Sequence, residues 1–394
     1  MKVLILNSGS SSIKFQLIEM PQQEVICSGH IERIGFEDAV LIYKTQSHEY
    51  KEILDIPTHQ IGLEIISGFI MDPKKGVVKN ANEIDAVGHR VVHGGDAFSA
   101  TTLINSEVVD KIKEFTSLAP LHNPHNLKGI EIAEKIFSHA KQIAVFDTAF
   151  HQTMPTKARK YAIPNKFFTD FGIKMYGFHG TSHKYVSEKA LAYLNNPNAK
   201  IISIHLGNGC SITAVKEGKS IDHSLGFTPS NGLIMGSRSG DIDHALIFYL
   251  VNELGYELDE VNELLIKESG MLGLTGYSDL RDIQAEAEKG NEDCKLALDM
   301  NAYRIKKYIG AYAAAMNGLD AMLFTAGVGE NSSLIRRLVC SDMDYLGIEL
   351  DEAKNESKSR DLREINQKAS RVKILVIPTN EEIEIANQAY RLLH

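Results

Sequence analysis

A chain of 394 residues with 43% hydrophobic side chains can bury large cores, and its length favours two or three domains over one. The 42 basic and 51 acidic residues leave a net charge of -9, so no global field favours nucleic acid or an anionic membrane, and an anionic ligand must be held by local arginines and loops. Cys27, Cys210, Cys294 and Cys340 lack CxxC spacing, no apolar run approaches the ~20 residues of a membrane helix, and Met1-Lys2-Val3-Leu4 already reads as strand with no signal peptide ahead; the cytoplasm is the expected compartment.

Strands are predicted at 3–6, 14–18, 25–31 and 40–44, separated by Gly, Pro, Asp and Ser. Between the first two lies Asn7-Ser8-Gly9-Ser10-Ser11-Ser12-Ile13-Lys14, a tight polar turn closed by a lysine. Small residues let backbone N–H groups approach an anion and Lys14 adds a point charge, although a plain Gly/Ser hairpin turn has the same composition. Helical periodicity follows at 60–71 and 106–115, with a strand at 86–92 between them. A helix at 127–140 and a strand at 142–146, ending at Asp147, complete an α/β layer domain.

The second half repeats that order. Strands at 201–204, 211–216 and 219–223 enclose Leu206-Gly207-Asn208-Gly209-Cys210-Ser211, a second phosphate-type turn. Helices are predicted at 243–252, 258–269, 283–288 and 293–318; a strand at 321–325 enters Ala326-Gly327-Val328-Gly329-Glu330-Asn331; a strand at 373–377 precedes a closing helix at 381–393. Two such turns imply two halves around one nucleotide. Neither is a P-loop: Gly218-Lys219-Ser220 matches only its end, with Thr213 at the first glycine position. The dinucleotide fingerprint fails because Gly207-Asn208-Gly209 and Gly327-Val328-Gly329 each lack a third glycine. Without a low-complexity linker, the halves are expected to meet across a cleft.

Several segments carry chemistry. Arg90, at a strand end beside Gly94 and Gly95, is placed to clamp a carboxylate or phosphate; a surface ion pair is the alternative. His89 and His93 read as structural, since a spacing of four puts side chains on one face only in a helix. The loop Pro120-Leu121-His122-Asn123-Pro124-His125 can turn polar atoms toward a ligand, His122 among them. Asp147 ends a buried strand, where a carboxylate can hold Mg²⁺, act as a base or simply close a turn. His179, between Phe178 and Gly180, precedes a helix N-terminus and suits a donor to a transferring phosphoryl oxygen. Arg238 lies in a second glycine-flanked loop, Met235 to Asp241, and two arginines on different loops are what phosphoryl transfer to an anion needs. Asp279-Leu280-Arg281 and Gly327 to Asn331 allow nucleotide contact or helix capping. Glu381, after a strand and Asn380, can bind Mg²⁺ or form an acidic first helical turn.

Taken together, 7–14, 89–95, 147–155, 176–183, 205–211, 226–243 and 380–383 closely resemble the acetate kinase family from end to end. The resemblance implies the sugar-kinase, actin and heat-shock ATPase superfamily: α/β, two duplicated ribonuclease H-like lobes (1–149 with 383–394, and 150–382), an active-site cleft between them, and a homodimer. It implies reversible transfer from ATP to acetate giving acetyl phosphate, with Mg²⁺ replaceable by Mn²⁺. Position by position, it assigns Asn7 and Glu381 to Mg²⁺ and Lys14 to nucleotide phosphate. Nucleotide-binding segments match His205, Leu206, Gly207, Asn208 and Gly209; Asp279, Leu280 and Arg281; and Gly327, Val328, Gly329, Glu330 and Asn331. Arg90 matches the substrate arginine, Asp147 the catalytic aspartate, and His179 with Arg238 the transition-state stabilisers. Val92, Leu121, Phe178 and Pro229 match the pocket for the acetate methyl. Asp96, Ser237 and His244 depart from a usual glutamate, threonine and proline without removing a catalytic group. A propionate kinase of the same family is the near alternative, and a non-catalytic actin-like ATP-binding module the distant one. Acetate is already ionised near neutral pH, since carboxyl groups titrate around ~4, so Asp147 is expected to organise Mg²⁺ or its waters rather than remove a proton.

Overall fold

In the computed structural model, which describes residues 1–394, the chain forms two compact units, Met1–Gln152 with Asn380–His394, and Thr153–Thr379. The first is built on an eight-stranded sheet. β1 (Lys2–Ser8), β2 (Ser12–Glu19), β3 (Glu24–Glu32), β4 (Ala39–Thr45) and β5 (Glu49–Leu54) form an antiparallel meander. On the other side of β1, β6 (Ala86–Val91) pairs in parallel; the two-residue β7 (Thr102–Leu103) forms the far edge against β8 (Lys141–Phe146), which is parallel to β6.

Period-two alternation along β1 decides how this sheet is covered. Leu4 and Leu6 join Phe15, Leu63, Ile66 and Ile132 in one core, under the helices His59–Ile70 and Asn123–Ile136. Val3 and Ile5 face the other way, joining Ile18, Ile143 and Ile385, the last on the closing helix Glu381–Leu393. That helix packs close because β6 carries Gly88, where a Cβ would lie 2.8 Å from Ile385 and 2.9 Å from Ile5. The C-terminal helix thereby brings Glu381 into the first unit.

The second unit repeats the pattern. β9 (Lys200–Leu206), β10 (Cys210–Lys216) and β11 (Lys219–His223) are antiparallel; β12 (Ala321–Thr325) follows β9 in parallel, and beyond it the order ends with β14 (Lys373–Val376) and the short edge strand β13 (Arg363–Glu364). The series β11-β10-β9-β12-β14 has the same order and directions as β3-β2-β1-β6-β8, so the duplication expected from sequence is present in topology. The 25-residue helix Glu292–Met316 packs on β9 and β10, and Gly180–Leu194 on β9 and β12.

Element ends moved for local reasons. The helix predicted from 127 starts at Asn123, because Pro124 lies in its first turn, where no intrahelical N–H bond is lost. The helix predicted from 283 starts at Leu280, with Asp279 as its N-cap. β5 was not foreseen: all six of its side chains are at least partly exposed, and its pairing with β4 rather than burial defines it.

Candidate active site

Candidate residues form a cluster in each unit. In the first, β1 and β2 meet in a hairpin whose tip is closed by Gly9 N–H donating to Ser12 O (2.8 Å), with Lys14 paired opposite Asn7. The first phosphate-type turn is thus a hairpin tip carrying Asn7 and Lys14 side by side. Arg90 lies on β6, and β8 runs into Asp147, whose N–H donates to Val91 O at 2.9 Å. Asp147 is 1% exposed and receives both prongs of the guanidinium, Nε to Oδ1 at 3.2 Å and Nη2 to Oδ2 at 2.5 Å. Glu381 Oε2 lies 3.6 Å from Arg90 Nε. Burial opposes the charge on Arg90, but Asp147 and Glu381 outweigh it and raise the guanidinium pKa, so Arg90 stays a cation.

The same arrangement leaves two carboxylates around one arginine. Burial, with Asp147 and Glu382 adding to it against Arg90 and Lys14, lifts the Glu381 carboxyl to about 7. A carboxyl raised above its unfolded value binds more protons in the folded state, so stability falls as pH rises from the ordinary glutamate range to about 7 and is flat above. Thermal denaturation of the metal-free protein between pH 5 and 8 should show that slope, and Glu381→Gln should flatten it; an unchanged slope in the variant would remove Glu381 as its source. A divalent cation suits such a pair. No group of three or more His, Cys, Asp or Glu side chains is arranged so that it could hold a metal ion by itself.

Two buried asparagines, Asn123 of the loop read as facing a ligand and Asn126, which sequence reasoning passed over, tie these strand ends together. Asn126 accepts from Val92 N (3.1 Å) and donates to Ser8 O (2.8 Å), joining the exits of β6 and β1. Asn123 accepts from His93 N (3.1 Å) and donates to His93 O (3.0 Å). Their spacing of three within a helix's first turn was the available signal. Val92 is buried, His122 half-buried, and Leu121 is 60% exposed. His89 bonds Gln142 at 2.8 Å, and burial pushes its imidazole down to about 4; His93 accepts Gly95 N–H at 3.0 Å. Both are structural, as read from sequence.

In the second unit the turn between β9 and β10 is also a hairpin tip, with Gly207 N–H donating to Gly209 O at 3.1 Å. It borders a cavity of about 800 Å³, large enough for a nucleotide. Leu206, Gly207, Asn208, Asp279, Leu280, Arg281, Gly327, Val328 and Asn331 all line it. His205, Gly209, Gly329 and Glu330 lie outside the lining: Gly329 is buried against Phe324, and Glu330 accepts Thr379 N–H at 3.1 Å. Asp279 does both jobs considered for it, since it borders the cavity and also accepts Arg281 N–H at 2.8 Å as a helix cap. Met271, Gln284 and Asn301 line the cavity too, from helices that only the tertiary fold brings there.

Beside this cavity stand His179 and Arg238. His179 is the N-cap of Gly180–Leu194 in the left-handed region, φ 56°, a conformation that costs a non-glycine residue roughly 1 kcal/mol or more. Its Nδ1 bonds Ser211 Oγ (2.9 Å), which also bonds His183 Nε2 (2.7 Å), and its ring stacks on His205 at 4.5 Å. Phe178, buried beside it, donates its N–H to His223 Nε2 (3.1 Å), which leaves His223 Nδ1–H to donate to Thr213 Oγ1 (2.7 Å). Arg238 donates to Pro229 O at 2.8 Å, and burial lowers its pKa. A Cβ built at Gly209 would lie 3.6 Å from His179 Nε2 and 3.9 Å from Arg238 Nη1, so both candidates meet over the hairpin tip.

A duplicated phosphate-turn fold with a nucleotide-sized cavity and an arginine–histidine pair beside it defines a phosphotransferase of the kinase class. The Acetokinase family model matches residues 2–387. An acetate kinase from Flavobacterium johnsoniae is 64% identical over 393 residues, spanning 100% of both chains. The crystal structure of Porphyromonas gingivalis acetate kinase superposes with a TM-score of 0.95 at 45% identity over 100% of each chain, and that of a propionate kinase from Francisella tularensis with 0.92 at 43% over 98% of each. The chain belongs to the acetokinase family.

Proposed function

We propose that this protein is the enzyme that moves the γ-phosphoryl group of ATP reversibly onto acetate, giving acetyl phosphate and ADP. The observation carrying the reading is the meeting of His179 and Arg238 over the hairpin tip beside the nucleotide-sized cavity. Acetate arrives as an anion, so no proton has to be removed; the barrier is repulsion between carboxylate and phosphoryl oxygens, and positive groups must answer it. Arg90 takes the acetate carboxylate, with Val92, Leu121, His122, Phe178 and Pro229 as the remaining substrate contacts. Arg238 and His179 donate to the transferring phosphoryl group, whose charge is spread over its equatorial oxygens. Lys14 and the cavity-lining segments hold the nucleotide. Asn7 and Glu381 hold Mg²⁺, for which Mn²⁺ can substitute, and which supplies charge neutralisation at the phosphates.

Asp147 is locked to Arg90 by two hydrogen bonds, a geometry suited to orienting a guanidinium and, on its outer side, metal-bound water. Asp147→Asn should therefore lower kcat and raise the Mg²⁺ concentration needed for half-maximal rate by at least tenfold. Lost activity with an unchanged Mg²⁺ requirement would end the metal-organising role.

Trapping acyl phosphate as hydroxamate, with MgATP and acetate, propionate or butyrate in parallel, tests the assignment. Acetate leading by tenfold in kcat/KM supports it. Propionate leading moves the chain to the sibling activity, which one methylene, worth ~1–3 kcal/mol, makes a real competitor. No product with any acid returns it to an ATP-binding module.

We also place the enzyme in the cytoplasm as a homodimer. The four cysteines are buried and unpaired, and no helix is long and apolar enough to cross a membrane. The apolar helix Ala245–Asn252 buries none of its side chains, with Leu246, Phe248 and Tyr249 exposed, which suits a second copy of the chain.

A further inference from the structure

The arginine loop of the second unit is held by more than its own turn. Asp241 closes its base: its N–H donates to Gly232 O (3.0 Å) and its Oδ1 accepts Gly232 N–H (2.7 Å). Gly240 has φ +68°, and a Cβ there would lie 2.5 Å from the carbonyl oxygens of both Gly232 and Leu233, so the two arms of the loop touch backbone to backbone. The second carboxylate oxygen, Oδ2, accepts the Tyr308 hydroxyl at 2.6 Å. One turn earlier, Arg304 Nη1 donates to Gly232 O (2.8 Å) and lies 4.0 Å from Asp241 Oδ2. Another turn back, Asn301 Nδ2 donates to Ile234 O (3.2 Å).

Positions 301, 304 and 308 share one face of the helix Glu292–Met316. A rigid element of seven turns thus grips the loop that ends in Arg238. The loop tip is docked on its far side by Ser269 N–H to Ser237 O (3.0 Å), Met271 N–H to Met235 O (2.8 Å), Leu272 N–H to Gly236 O (2.9 Å) and Ser237 Oγ to Ile266 O (3.1 Å). Tyr308 is the one side chain on the helix that reaches the carboxylate closing the loop within hydrogen-bond distance. Burial first, then Asp241, pushes its phenol well above the ordinary range, so it remains a donor at every working pH. Stabilisation of a transferring phosphoryl group depends steeply on where the guanidinium sits, and a displacement of about 1 Å is worth up to ~10²-fold in rate.

We propose that Tyr308 is a positioning residue for phosphoryl transfer, setting Arg238 through its hydrogen bond to Asp241. The inference rests on the reading of Arg238 as a phosphoryl-stabilising group. Because Arg238 acts on the transition state, a loosened loop should appear in kcat and not in ground-state binding.

Tyr308→Phe keeps the ring and removes only the hydroxyl. With purified full-length enzyme, kcat for acetyl phosphate formation should fall about tenfold while KM for ATP and for acetate stay within twofold. Inhibition by MgADP, aluminium fluoride and acetate together, a mimic of the transferring group, should weaken by the same factor. In an Arg238→Lys background the same change should cost less than twofold, since the displaced group is already altered. Tyr312→Phe, which removes a neighbouring buried hydroxyl that makes no hydrogen bond, serves as the control and should leave kcat unchanged. Unchanged kcat in Tyr308→Phe, a loss taken up in KM, full multiplication with Arg238→Lys, or an equal loss in Tyr312→Phe would each overturn the proposal. Wild-type protein that makes no acyl phosphate would instead overturn the functional reading beneath it.

Discussion

Replacing Arg238 with alanine is expected to lower kcat by about 10³-fold or more, with KM for ATP changed no more than a few-fold. The guanidinium is half-buried, its Nη1 donates to Pro229 O at 2.8 Å, and Nη1 and His179 both approach the tip of the β9–β10 hairpin. The nucleotide-sized cavity is lined by other groups, so ground-state binding is expected to survive the change. Desolvation lowers the Arg238 pKa, and on its proposed role the same poor solvation would strengthen its pull on phosphoryl charge. Steady-state kinetics and equilibrium binding of ADP check this together. A variant that loses nucleotide affinity in proportion to kcat would make Arg238 a binding residue, and one that keeps kcat would remove it from the mechanism.

Arg90→Ala should be costly in two separate ways. On the proposed role of Arg90 as the group that takes the acetate carboxylate, KM for acetate should rise and kcat/KM fall by at least 10²-fold. Asp147, 1% exposed, loses the guanidinium hydrogen-bonded to both its oxygens, and removing one partner of a buried ion pair destabilises a protein by about 3 kcal/mol or more. The double variant Arg90→Ala/Asp147→Asn, with no stranded charge, should regain most of that stability and none of the activity. Urea denaturation monitored alongside the hydroxamate assay separates the effects. Single-variant stability equal to wild type would mean that Asp147 finds another partner, and activity restored in the double variant would show that Arg90 matters only as a counter-ion.

Much of this was legible in the chain. β1 announced itself through a short apolar run leading into a polar turn, and the repeat of that device at 201–215 foretold the duplicated sheets. Asp147, His179 and Arg238 stood out because strand ends and glycine-flanked loops display side chains that regular elements hide. Other parts carried no local mark. β5 is a polar strand defined by its partner, and the left-handed conformation of His179 is invisible in its residue type. The Arg90–Asp147 pair joins positions 57 apart, and the grip of Asn301, Arg304 and Tyr308 on the arginine loop spans 67 to 72 residues.

The sequence by itself determined the periodicities, the turns and the kinds of chemistry present, since these depend on neighbours a few residues apart. The tertiary structure alone decided that Arg90 is already engaged by Asp147, that Glu381 of the last helix joins them, and that one helix face holds the base of the loop carrying Arg238. Those outcomes depend on burial and on charges brought together across the chain, and desolvation and Coulomb energy are properties of a folded environment, not of residue order.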